Sequence, residues 1–135
     1  MPVQLLSPAG LMQPVPYHHV AVGTGARQVH VAGQVARDAA GRPVADDLAG
    51  QVAAVLRSTA LALDAAGARF TDVVRLTFYV TRWRPEEIAD LMAGVESVAD
   101  ELGLPTPMPP ASLLGVDQLY EPDVRVELET VAVLD

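Results

Sequence analysis

The chain has no cysteine, three histidines and, among its 135 residues, only two phenylalanines, three tyrosines and one tryptophan. Without cysteine there is neither a disulfide framework nor a thiol nucleophile, and three histidines alone make a poor zinc-ligand set. Basic residues are scarce too: nine against seventeen acidic ones, a formal charge of −8 and a pI near 4.7. That balance is a poor match to phosphate backbones, so no nucleic-acid partner is expected. No apolar run approaches the roughly 18 residues a membrane span needs. The first residues, MPVQLLSPAGLM, lack a basic segment followed by a long apolar one, so neither a signal peptide nor membrane association is expected. These absences point to a soluble cytoplasmic protein.

What is present is aliphatic. Half of the residues are hydrophobic and the mean hydropathy is +0.26, so the core must be built largely of Val, Leu and Ala. No repeat, low-complexity tract or change of composition divides the chain, which reads as one domain, 1–135. Positive hydropathy in so short a chain implies that some apolar surface is buried between subunits.

Periodicity supplies the elements. Residues 3–6 read as a short strand, and 18–22 and 28–32 as two strands of a hairpin around GTGAR. Gly23-Thr24-Gly25 superficially resembles a phosphate loop but lacks the further glycine and lysine, so a turn is the simpler reading. Leu48, Val52, Val55, Leu56, Thr59 and Leu63 recur at helical spacing, with Asp47 as N-cap and Gly67 as stop. Residues 72–80 (DVVRLTFYV) form the clearest strand, with Val74, Leu76, Phe78 and Val80 expected on one face. A second helix starts at Pro85 and runs through Ile88, Leu91, Val95 and Leu102 to Gly103. Residues 112–116 and 124–133 are the last strands. The expected order is β-β-β-α-β-α-β-β. Two helices cover only one face of such a sheet, so the other face is expected to meet a second copy of the chain.

That order, with particular residues, resembles the RidA family (also YjgF/YER057c/UK114, or L-PSP endoribonuclease family). The matching stretches are Val15-Pro16-Tyr17, Ala32-Gly33-Gln34, the segment from Gly41 to Val44, Gln51, and Ala65-Ala66-Gly67. They continue through Asp72-Val73-Val74, the run from Thr77 to Val80, Pro109-Pro110-Ala111-Ser112 and the run from Val124 to Glu129. The resemblance implies a chorismate-mutase-like α+β fold: one mixed sheet, two helices on one face, and a homotrimeric barrel with clefts between neighbours. It implies hydrolysis of reactive enamines and imines, such as 2-aminoacrylate, to 2-keto acids and ammonia, without a metal or organic cofactor. It further implies a ligand cleft lined by Tyr17, Gly33, Gln34, Ala111, Ser112 and Leu113, with Glu127 as the carboxylate that positions water.

The chain departs from the family at one place. The family pattern Pro-x-Arg-Ser is here Pro109-Pro110-Ala111-Ser112, and no arginine occurs between Arg84 and Arg125. The missing arginine would pair bidentately with a substrate carboxylate, and losing such a desolvated pair costs roughly 3 kcal/mol or more. An ordinary 2-aminoacrylate deaminase is therefore not expected. Ala111 opens the cleft to a neutral or bulkier ligand instead. Arg75, Arg82 and Arg84 are the candidate substitutes, although solvated or ion-paired arginines are the simpler reading. Arg125, Glu127 and Glu129 share one strand face by period two. His18 and His19, being adjacent, point to opposite faces of a strand and do not chelate together. Three functions follow for test: a hydrolase acting on a small C–N metabolite, a non-catalytic trimer binding a metabolite or partner, and the RNA cleavage of the older family name, which the acidic charge disfavours.

Overall fold

The computed structural model describes residues 3–135. Helix α1 (Leu48–Ala65) starts where the Asp47 carboxylate accepts the Gly50 N–H at 3.2 Å. It buries Leu48, Val52, Val55, Leu56, Thr59 and Leu63, the expected stripe, and ends at Ala66 before Gly67. Helix α2 (Ile88–Leu102) follows a 3₁₀ turn over Pro85–Glu87 and closes on Gly103, whose φ of 69° suits a left-handed cap. The two helices approach closely at Gly94, where a Cβ would stand 2.5 Å from the Ala49 carbonyl oxygen. Neither is long and apolar enough to cross a membrane, and no other helix of the described residues is.

Four strands form the main sheet: β3 (Arg27–Gln34), β4 (Val73–Thr81), β5 (Ala111–Val116) and β6 (Val126–Leu134), in the order β3-β6-β4-β5. β6 is antiparallel to both neighbours, while β4 and β5 run parallel with α2 as their connection, so the sheet is mixed. β1 (Val3–Leu6) and β2 (Val20–Gly23) pair antiparallel in a separate ladder. The hairpin expected around GTGAR is thus not a ladder, because β2 takes β1 as its partner. Its turn instead runs against the end of β6: a Cβ on Gly25 would stand 2.2 Å from the Leu134 carbonyl oxygen.

The helices cover one face. Leu76, Phe78 and Val80 of β4 and Val126, Leu128 and Ala132 of β6 are buried with Val52, Val55, Leu91 and Val95 of the helices. Arg75, Thr77, Tyr79, Glu127 and Glu129 lie on the other, partly solvated face. At the start of β4 the expected alternation slips. Val73 is buried and Val74 half-buried because the register against β6 shifts between Val73 and Arg75, a bulge that re-aims one residue. The 117–125 segment is tied down from two sides. Fully buried Gln51 donates to the carbonyls of Ala45 and Asp123 (3.2 and 2.8 Å) and accepts the Arg125 N–H at 2.8 Å. Arg37 reaches Glu121 and Asp123 at 2.7 and 2.8 Å. Its guanidinium holds the Asp123 carboxyl below the usual range.

Candidate functional site

β3 carries a second bulge between Val31 and Gln34, so that Gly33 falls where the ladder with β6 is interrupted. The Glu127 carboxylate occupies the space beside it: a Cβ on Gly33 would stand 1.8 Å from Glu127 Oε2 and 2.8 Å from its Cγ. Only glycine at position 33 is compatible with this rotamer of Glu127. Burial, and secondarily the neighbouring Glu129, raises the Glu127 carboxyl above its ordinary range. Glu129 accepts a hydrogen bond from the Tyr79 hydroxyl, which that bond in turn makes harder to ionise. Gln34 lies next to Gly33, but its side-chain amide folds back onto the Ala32 carbonyl at 3.1 Å.

Tyr17, Ala111, Ser112 and Leu113 form a second group. The N-terminal loop is stitched to the proline-rich approach: Met108 N–H donates to the Pro16 carbonyl at 2.9 Å, and His18 N–H to that of Met108 at 2.7 Å. Tyr17 is thereby held beside the start of β5, with its ring edge-on to His19. By register Ala111 and Leu113 stand opposite core-facing Leu76 and Phe78, and Ser112 opposite Thr77. The group borders a cavity of about 210 Å³ closed by Met12, Met92 and Met108, with Ile88 and Leu91 from α2. Among the described residues, no charged side chain lines it. Its methionine and isoleucine walls were not singled out from sequence. Ile88 belongs to the helical stripe read from sequence, yet it is 45% exposed in the fold.

One chain does not bring these two groups together. Glu127 lies on the open face, whereas Ala111 and Leu113 face the helices. From β6 to β5 there are two strand spacings, about 10 Å. β5 is an edge strand, so the open face and the cavity mouth meet only around that edge.

Arg75 Nη2 donates to Ser112 Oγ, which places its guanidinium on the open face, across the sheet from the Ala111 side chain. It does not line the cavity. Arg125 leaves the Glu127–Glu129 row: it donates to the Thr81 carbonyl at 2.9 Å and to Glu87 at 3.2 Å. Arg82 and Arg84 border the same concavity as Arg125 at the far end of β4. All nine basic residues are arginine, so no lysine is available for an imine link to the protein. The histidines take separate partners: His18 Ser7, His19 the Met12 carbonyl, and His30 Gln28.

Residues 11–134 match the family model described as Endoribonuclease L-PSP. The conserved Rid-family protein YyfB of Yersinia pestis is 32% identical, with a TM-score of 0.87 over 99% of this chain and 100% of its own. The YjgF protein of Escherichia coli is 26% identical, with a TM-score of 0.67 over 96% of this chain and 92% of its own. Escherichia coli TdcF, solved with bound serine, shares the fold at 23% identity and a TM-score of 0.68, over 96% of this chain and 94% of its own. No curated protein matches the chain in sequence.

Proposed function

The chain belongs to the Endoribonuclease L-PSP family of Rid/YjgF/UK114 proteins, and from that membership we propose that it hydrolyses a small imine or enamine in a cleft shared between copies in a homotrimer. The observation that carries this reading is the Glu127 carboxylate seated against the bare Cα of Gly33, with its affinity for protons raised by burial. A carboxyl whose pKa lies above its ordinary range exchanges protons more readily near neutral pH. Glu127 takes a proton from water as the oxygen adds to the C=N carbon and returns it to nitrogen, giving a carbinolamine; it then passes the carbinolamine hydroxyl proton to nitrogen as the C–N bond breaks and the carbonyl forms. Imine and water become a carbonyl compound and ammonia, with no electron transferred and no cofactor called for.

The division of the site supports a shared cleft. Glu127 and Gly33 lie at one side of the sheet, while Tyr17, Ala111, Ser112 and Leu113 lie at its β5 edge. A neighbouring copy docked on the open face would bring one chain's carboxylate to another's cavity. Exposed apolar side chains such as Val22 and Leu114 (46% and 44% exposed) are what such docking would cover. The same open face presents Glu127 and Glu129, which would repel an RNA phosphate. Ala111 also supports a second reading, a trimer that binds a metabolite without turning it over.

Ammonia release from enzymatically generated imines separates the two. Hydrolysis faster than buffer, falling about 100-fold in Glu127→Gln, is expected of the catalyst. No release above buffer for any imine, together with a rise in melting temperature on adding a metabolite, would leave only the binder.

A further inference from the structure

The cavity at the start of β5 has a volume, a lining and a missing charge that together specify what enters it. Its volume is about 210 Å³. A dry cavity of about 150 Å³ lined by aliphatic and aromatic side chains holds one benzene ring. A single aromatic ring or a branched aliphatic group of similar bulk therefore fits here, and a peptide helix does not. The walls are Met92, Met108, Leu91, Phe78 and Leu113, with Met12 and Ile88 at the mouth, both among the exposed large hydrophobic residues. Methionine adapts its shape to such guests and makes favourable sulfur–aromatic contacts. Among the described residues, Tyr17 brings the one hydroxyl-bearing side chain to the lining; Ser112 borders it too, but its hydroxyl is engaged by Arg75 on the open face.

Charge excludes the alternative. An anion placed here would be desolvated against thioethers and hydrocarbon, and the cation reaching Ser112, Arg75, approaches from the opposite face of the sheet. Building on the imine-hydrolase reading above, we propose that this cavity is the specificity pocket of the site and that it takes an uncharged hydrocarbon group. The ligand is then a C–N compound derived from an apolar amine, with no carboxylate next to the reacting carbon. Its ring or branched chain sits among the methionines. Its C=N end lies at the Tyr17 rim, toward the β5 edge.

The chain offers a direct readout. Three of its four methionines, Met12, Met92 and Met108, line the cavity, and Met1 is the fourth. With the full chain labelled at the methionine methyl groups, benzyl alcohol serves as the neutral probe and benzoate as its anionic counterpart. Expected are saturable shifts of the Met92 and Met108 signals with benzyl alcohol, at least about tenfold weaker with benzoate. Ala111→Leu, which narrows the cavity without adding charge, should weaken benzyl alcohol binding. Ala111→Arg should reverse the preference toward benzoate. Equal or stronger binding of benzoate to the unsubstituted chain would overturn the proposal. So would no shift with benzyl alcohol up to about 10 mM, a concentration that detects even weak binders. Methyl shifts on raising protein concentration alone, with no probe effect, would mean that a second copy's side chain fills the cavity, and would overturn it as well. None of these readouts requires turnover, so an inactive protein that still binds benzyl alcohol would sink the hydrolase reading and leave the pocket standing.

Discussion

Replacing Gln51 by leucine removes a side chain with no solvent exposure whose amide serves three backbone groups at once. The carbonyls of Ala45 and Asp123 lose donors at 3.2 and 2.8 Å, and the Arg125 N–H loses an acceptor at 2.8 Å. Leucine is close in volume, so little of the effect comes from a void. At about 1 kcal/mol net for each hydrogen bond, Gln51→Leu should cost about 3 kcal/mol. Urea unfolding followed by circular dichroism reads this as a lower midpoint at unchanged slope. The companion Gln51→Glu sharpens the reasoning. It keeps an acceptor for Arg125 but turns a carboxylate toward two carbonyls, so protonation should help it. The folded state then binds a proton that the unfolded chain releases, and stability rises as pH falls toward about 4. A loss below about 1 kcal/mol for Gln51→Leu, or a Gln51→Glu variant no less stable at neutral pH than at about pH 4, would refute the role given to this amide.

Two further outcomes follow from the same physics. Thr130 is buried on the core side of β6 and its hydroxyl has no hydrogen-bond partner, so Thr130→Val, nearly equal in volume, should stabilise by about 1 kcal/mol in the same urea assay. Because burial raises the Glu127 carboxyl, the folded state holds its proton more tightly than the unfolded chain, and ionisation above that range weighs against the fold. Glu127→Gln should accordingly melt higher than the unsubstituted chain at neutral pH, with the difference vanishing below about pH 4; an unchanged gap across the range would count against a raised carboxyl.

Much of the fold was legible in the sequence because its signals are local. Asp47 caps α1 as its position suggested, Gly103 ends α2, and the alternation from Leu76 to Val80 names the buried face of β4. What escaped was set by distant pairing. The faces of Val73 and Val74 are exchanged by a bulge that depends on where β6 lies, and β2 leaves its sequence neighbour for β1. The site shows the same division. Against the family pattern the Pro110-Ala111-Ser112 stretch reads as lacking an arginine, yet only the strand order shows that Arg75 stands across the sheet from Ala111. Glu127 is named by the family resemblance. That Gly33 exists to make room for it became visible only once the β3 bulge set the two side by side. Met12, Met92 and Met108 are far apart in sequence and carry no motif, so the apolar seat they form had no local signature.

The measurement that bears most directly on a site shared between copies is the mass of the protein in dilute solution by sedimentation equilibrium. The account predicts a species three times the 14.2 kDa of one chain, persisting at micromolar concentration. A stable, folded species of 14.2 kDa would contradict it, because the Glu127 carboxylate and the Ala111 cavity would then remain on separate faces of a single sheet.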